Sequence, residues 1–166
     1  LAFSHKYKSE PNVCLTYLGD VAVNQGQVYE SFNMAALWRL PCLFIIENNQ
    51  YGMGTAVTRA AAGRALADRG LAYGIPGKQV DGMDVLSVRG AAQRAINRAR
   101  SGGGPTLLEC LTYRYRGHSL ADPDELRAEE EKAFWAKRDP IKKLAKELIE
   151  KKLVKDSELK NIEKKI

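Results

Sequence analysis

Two apolar runs, each closed by polar residues, frame the front of this chain. Val13-Cys14-Leu15-Thr16-Tyr17-Leu18-Gly19 ends at Asp20, and Cys42-Leu43-Phe44-Ile45-Ile46-Glu47 ends at Asn48-Asn49. Runs of this length read as strands. Between them Val28, Phe32, Ala35 and Ala36 recur at helical spacing until Pro41 stops the pattern. A strand, a crossover helix and a parallel strand return both polar ends to one edge of a sheet, where open α/β folds bind ligands.

The pattern continues with Tyr51-Gly52-Met53-Gly54-Thr55, which reads as loop, and with a stretch to Lys78 that has no clean period and is expected to be surface loop with short helix. Gln79-Val80 reads as a brief strand. Asp84 can cap a helix whose stripe is Val85, Val88, Ala91, Ala92, Ala95 and Ala99, ended by Gly102-Gly103-Gly104-Pro105. A third apolar strand spans 106–112, and the chain then turns basic, aromatic and polar at Tyr113-Arg114-Tyr115-Arg116-Gly117-His118-Ser119. Function concentrates in such loops.

From Asp124 onward glycine disappears and 24 of 43 residues are charged. This part is helical: Ile141, Leu144, Ala145, Leu148 and Ile149 form one apolar face, and Leu159, Ile162 and Ile166 another. Such faces are expected to pack on the core, with a partner-binding groove as the alternative. The expected organisation is therefore an α/β unit over 1–123, incomplete at its N-terminus, and a charged helical tail over 124–166 packing on or beside it.

Composition narrows the function classes. A chain of 166 residues that is 45% hydrophobic can bury one sizeable core. No apolar stretch approaches the roughly 20 residues of a membrane span, and the front lacks the layout of a signal peptide. The chain is expected to be soluble and, opening on Leu1 so close to its first strand, to be a piece of a longer protein. Cys14, Cys42 and Cys110 all fall in predicted strands without metal-binding spacing, which reads as buried thiols in a reducing compartment. The formal charge of +6 is spread over both halves, and Arg94, Arg98 and Arg100 sit together on one predicted helix. A solvated helix face accounts for that cluster more often than a phosphate footprint, so nucleic acid is not an expected partner.

Either polar strand end alone is ordinary turn chemistry. Together, Asp20 and Asn48-Asn49 hold oxygen donors one strand apart, which suits a hard cation such as Mg²⁺ gripping a diphosphate. At this point the chain resembles a known family. Asp20 through Asn49 is similar to the thiamine-diphosphate motif. Asn24-Gln25-Gly26-Gln27, Glu30, the run Phe32-Asn33-Met34-Ala35-Ala36-Leu37-Trp38, Leu40-Pro41, Glu47-Asn48-Asn49 and Tyr51-Gly52-Met53-Gly54-Thr55 resemble the alpha subunits of pyruvate dehydrogenase first components, within the thiamine-diphosphate-dependent 2-oxo acid dehydrogenases. Val80-Asp81-Gly82-Met83-Asp84 and residues 113–119 extend the likeness over nearly the whole chain.

The resemblance implies a thiamine-diphosphate-binding α/β fold and roles for single residues. Asp20 and Asn49 would ligate Mg²⁺ through side-chain oxygens and Tyr51 through its backbone carbonyl, while Val21 and Ala22 would lie against the diphosphate. His118, by default a surface histidine, would sit on a loop over the cofactor and assist transfer to the lipoyl group. Ser119 matches a serine phosphorylated in some relatives, but Ala56 replaces a second target and Ala121-Asp122-Pro123-Asp124-Glu125-Leu126-Arg127 looks like the plastid or cyanobacterial loop. Val21 stands where the motif has glycine. If the site needs a positive φ there, strain of about 1–3 kcal/mol would weaken cofactor binding about ten- to a hundredfold.

The implied reaction is oxidative decarboxylation of pyruvate with acetyl transfer to lipoamide. The implied partners are a beta subunit in a heterotetramer and the lipoyl domain of the acyltransferase component. No glutamate suited to activating the cofactor is evident here, and the fragment alone is expected to be inactive. Acetoin or branched-chain 2-oxo acid dehydrogenase alpha subunits, and a non-catalytic relative with an impaired cofactor site, remain alternatives. The implied compartment is the bacterial cytoplasm, or the mitochondrial matrix or plastid stroma in a eukaryote.

Overall fold

The computed structural model describes residues 1–63, 65–122, 125 and 127–166. Four parallel strands form the central sheet in the order β1-β2-β6-β5, with β1 at Cys14–Gly19, β2 at Cys42–Asn48, β5 at Gly77–Asp81 and β6 at Thr106–Leu111. β2 is buried along its apolar run, as expected of a parallel strand covered on both faces. The α/β class and the parallel pairing agree with the reading of the apolar runs.

Helices sandwich the sheet. On one face, α2 (Gly26–Leu37) inserts Val28, Phe32 and Ala35 against Phe44, Ile46 and Leu107. Phe32 is fully buried and meets Phe44 edge-on at 4.8 Å between ring centroids. The helix stops at Leu37, before Pro41, where Arg39 takes a left-handed φ of 45°. On the other face, α4 (Val85–Arg100) lays Ala91 and Ala95 on Leu43, Ile45, Val80, Leu108 and Cys110. Its N-cap is Asp84, which accepts from the Ser87 amide at 2.9 Å. A short helix, α1 (Ala2–Tyr7), precedes the sheet.

The stretch between β2 and β5 contains the short helix expected of it, but part of it is buried rather than surface loop. Tyr51–Gly52 (β3) and Thr55–Ala56 (β4) pair as a two-residue antiparallel ribbon turning at Met53, whose φ is 53°. After α3 (Val57–Ala60), a 3₁₀ stretch at Leu66–Tyr73 buries Leu66, Ala67 and Gly70, and Ile75 completes the wedge against the first face. β5 is also longer than Gln79-Val80, since Gly77, Lys78 and Asp81 pair with β6 as well, and Gly77 lies so near the Ala67 carbonyl that a Cβ there would come within 2.0 Å of its oxygen. That approach joins the wedge to the sheet edge, and helical or strand periodicity does not register it.

All three cysteines lie in strands as free thiols, with Cys42 and Cys110 buried. Burial pushes the Cys42 thiol up to about 11. Among the described residues no helix is long and apolar enough to cross a membrane.

The tail holds α5 (Glu129–Ala136), α6 (Pro140–Glu150) and α7 (Asp156–Glu163). The boundary at 123 and 124 lies outside the described residues. α6 starts where the Asp139 side chain accepts from the Ile141 amide and Pro140 takes the first helical position. Its apolar face was expected to pack on the core, yet none of its residues is buried, and Ile141 is 75% exposed. Both sheet faces are already covered, so the tail attaches to polar groups at one end of the sheet instead. Trp135 stacks on Tyr113 at 5.3 Å, Arg138 pairs with Asp81 at 2.8 Å, and Lys143 pairs with Asp84 at 2.6 Å. The Lys143 contact draws the Asp84 carboxyl down to about 2.

Replacing Phe32 with alanine is expected to cost about 3–5 kcal/mol in chemical unfolding, because a cavity would open between α2 and the sheet. A loss below about 1 kcal/mol would show that this face is not the core.

Candidate functional site

Asp20 and Asn49 meet at the C-terminal edge of the sheet. β1 and β2 pair in parallel with Gly19 opposite Glu47, so the next residues of both strands leave the sheet side by side. Asp20 is 2% exposed. Its Oδ1 accepts from the Val21 amide at 2.8 Å, while among the described residues Oδ2 has no hydrogen-bond partner. Burial raises the Asp20 carboxyl above its ordinary range, against the opposing influence of the amides of Val21, Gln50 and Asn49 and the charge of Arg114. A buried carboxylate oxygen without a donor is costly unless something else satisfies it.

The turn beside it supplies further oxygens. Asn49 Oδ1 accepts from the Tyr51 amide at a long 3.4 Å, and Gln50 takes a φ of 77° to make the bend. The Tyr51 carbonyl accepts from Arg114 Nη1 at 3.3 Å. An amide or peptide oxygen has two lone pairs, so each of these contacts leaves one available. Asp20 Oδ2, Asn49 Oδ1 and the Tyr51 carbonyl are thus an all-oxygen donor set of the kind a hard cation takes, and the orphaned Asp20 oxygen fits such an ion. Among the described residues no three His, Cys, Asp or Glu side chains gather into a metal-ligating cluster, here or elsewhere.

Val21 overturns the expected strain. It caps a single 3₁₀ turn, Ala22–Asn24, with φ −85° and ψ −33°, a conformation any L-residue adopts. Its side chain is accommodated from outside by Gly52, where an added Cβ would lie 2.4 Å from Val21 Cγ2 and 2.7 Å from Val21 Cβ. Ala22 is exposed beside it.

The loop after β6 reaches the same edge. Arg114 also donates through Nη2 to the Met53 carbonyl at 2.9 Å, and its Nη1 lies 3.5 Å from His118 Nδ1. His118 is exposed, and its amide donates to Asp122 at 2.6 Å. Ser119 is exposed beside it. Arg127, 6% exposed, donates to the Arg114 carbonyl and lies over the rings of Tyr51 and Tyr113. The Tyr51 hydroxyl donates to Glu131 of α5 at 3.0 Å, and burial first, then that contact, raises its pKa. Pro123, Asp124 and Leu126 of the expected loop motif lie outside the described residues.

Asp20, Asn49 and Tyr51 thus share this edge, and Arg114 ties the loop carrying His118 to the Tyr51–Met53 turn. Sequence reading missed what supports them: Arg114, quoted only as part of a motif, Arg127, and Glu109, a buried carboxylate on β6 that holds the Asn48 side chain. For Glu109 one signal was present, since an acid inside the apolar run Leu107-Leu108-Glu109-Cys110-Leu111 has to be satisfied internally.

Residues 1–166 match the family described as Dehydrogenase E1 component. The chain belongs to that family. It is 52% identical over 167 residues to a pyruvate dehydrogenase E1 component subunit alpha of Rhizobium meliloti (strain 1021), with 100% of this chain and 48% of the relative covered. It is 54% identical over 171 residues to the chloroplastic subunit alpha-3 of that component in Arabidopsis thaliana, covering 99% of this chain and 40% of the relative. The subunit alpha of Rickettsia felis is 48% identical over 166 residues, with 100% and 51% covered. The chain spans about half the length of the curated relatives it matches.

Val21 and Gly52 should be energetically coupled. Gly52→Ala is expected to destabilise the fold by about 1–3 kcal/mol through overpacking, and Val21→Gly in the same chain to return most of that loss. Additive effects of the two substitutions in chemical unfolding would contradict the contact.

Proposed function

We propose that this chain is the cofactor-holding part of the alpha subunit of a pyruvate dehydrogenase first component, an oxidoreductase that takes the 2-oxo acid pyruvate, decarboxylates it oxidatively and passes the acetyl group to lipoamide. The observation that carries this reading is the buried Asp20 Oδ2 beside the Asn49 turn, unpartnered among the described residues. The names of the relatives and the shared family add the substrate class.

In this reading Asp20 and Asn49 hold Mg²⁺ through their side chains and Tyr51 through its carbonyl, leaving the remaining octahedral positions to diphosphate oxygens and water. Thiamine diphosphate, when bound, supplies the electron sink for decarboxylation. Val21 and Ala22 bring backbone rather than side-chain charge to the diphosphate, and the Asp20 contact to the Val21 amide sets that backbone in place. His118 is the catalytic candidate of this chain, able to donate to a phosphate oxygen or move a proton at Nε2 while Arg114 holds its other edge. Ser119 is accessible to modification, and a phosphate there would add about two negative charges near Asp122, repelling the carboxylate that fastens the loop.

The partners in this reading are a beta subunit, completing a heterotetramer, and the lipoyl domain of the acyltransferase component. Exposed apolar side chains at Tyr17, Leu37 and Trp38 support burial against further protein. The chloroplastic and bacterial relatives support a plastid stroma or bacterial cytoplasm, and a mitochondrial matrix is the remaining eukaryotic compartment.

Calorimetry on the full-length alpha subunit assembled with its beta subunit tests the reading. Thiamine diphosphate with Mg²⁺ is expected to bind saturably and to lose affinity as pH falls, beginning above the ordinary carboxylate range because protons compete for Asp20 there. Asp20→Asn should abolish binding without lowering the melting temperature of the cofactor-free assembly. The sign follows from burial: the folded-state pKa is raised, so the ionised side chain costs stability as pH rises through that window, and removing the charge recovers it. Saturable binding that survives Asp20→Asn, or no binding by the unsubstituted assembly, would defeat the proposal.

A further inference from the structure

Resting on the cation-site reading above, we propose that Glu109 is a positioning residue, whose buried carboxylate sets the shape of the Asn49 turn through Asn48. Glu109 is 1% exposed at the centre of the sheet, on the strand next to β2. Both of its oxygens are used. Oε1 accepts from Asn48 Nδ2 at 2.7 Å, and Oε2 accepts from the Ala67 amide at 3.0 Å, at the start of the 3₁₀ stretch that wedges against the sheet.

This arrangement removes a choice. A side-chain amide can rotate to present either its oxygen or its nitrogen, and only the nitrogen is compatible with a carboxylate acceptor. Asn48 must therefore turn Oδ1 the other way, toward Gln50, where it accepts from the backbone amide at 3.2 Å and from Nε2 at 3.2 Å. Those contacts hold Gln50 at a φ of 77°, a conformation unfavourable for a residue with a side chain. With Gln50 so bent, Asn49 and the Tyr51 carbonyl come to the Asp20 side of the edge. Glu109 touches none of the candidate ligands, and it acts by fixing the polarity of the amide that makes the bend.

Hydrogen bonds run from donor to acceptor Gln50 to Asn48 to Glu109, and a reciprocal exchange can keep every bond while reversing the one between positions 48 and 109. Asn48→Asp alone sets a carboxylate against the Glu109 carboxylate in a buried place, so the pair must separate. Adding Glu109→Gln supplies a donor toward the new carboxylate at position 48 and keeps an acceptor for the Ala67 amide, so the same pairs stay bonded with the charge moved to position 48.

The experiment uses the full-length alpha subunit assembled with its beta subunit and two readouts. The first is amide hydrogen exchange of the segment 48–52 without cofactor. The second is the dissociation constant of thiamine diphosphate with Mg²⁺. N48D is expected to speed local exchange about tenfold or more and to weaken cofactor binding about ten- to a hundredfold, as loss of groups that orient ligands does. The N48D/E109Q pair should return both to within about threefold of the unsubstituted assembly. An unchanged N48D, a pair that fails to rescue, or a fall in melting temperature with unaltered exchange and affinity would overturn the role of Glu109. Failure of the unsubstituted assembly to bind the cofactor would count against the cation-site reading instead, while the exchange data would still decide whether Glu109 shapes the turn.

Discussion

Parallel pairing of β1 with β2, in the register that sets Gly19 opposite Glu47, is the constraint on which the remaining architecture depends. It is an expensive arrangement to reach, because parallel neighbours need a crossover, here α2, and both faces must then be covered. α2 and the 3₁₀ wedge cover one face and α4 the other. The return is positional: two strand ends emerge together and carry an aspartate and an asparagine turn to a single place. A one-residue shift in that register would reverse the faces of β2 and separate the donors.

The edge so formed is polar in a way the core is not. Among the described residues Asp20 Oδ2 is buried without a donor, Gln50 is held left-handed, and the Glu109 carboxylate lies deep between sheet and wedge. Each feature is unfavourable alone, and the apolar clusters around Phe32 and Leu108 stabilise the fold enough to retain them. Arg114, Arg127 and the Tyr51 contact to α5 then tie the loop after β6 and the tail to the same edge. Several separate stretches of chain converge on one small region, as a ligand site on a rigid scaffold requires.

How much of this was legible follows from the kind of signal involved. The strands and the two long central helices stood out because continuous apolar runs and the Val28-Phe32-Ala35 spacing are local patterns. The Asp20 and Asn49 donors were legible for the same reason, as polar punctuation at strand ends. The 3₁₀ wedge was hidden, since its packing rests on Gly77 approaching the Ala67 backbone rather than on any period. The spacing in α6 marks it as amphipathic, but amphipathicity does not say what it meets, and the pairing of Arg138, just before it, with Asp81 and of its own Lys143 with Asp84 sets it at the sheet's end. Val21 was judged by the glycine expected there, whereas its actual φ is set by the turn and by the space Gly52 leaves.

In the proposed site one cation joins the ends of β1 and β2. A crystal structure of the full alpha-beta assembly grown with thiamine diphosphate and Mn²⁺ in place of Mg²⁺ tests it most directly, because manganese is located by its anomalous scattering. A single peak is expected at this edge, in direct contact with Asp20 Oδ2, Asn49 Oδ1 and the Tyr51 carbonyl. A bound cofactor whose metal contacts neither Asp20 nor Asn49 would contradict it.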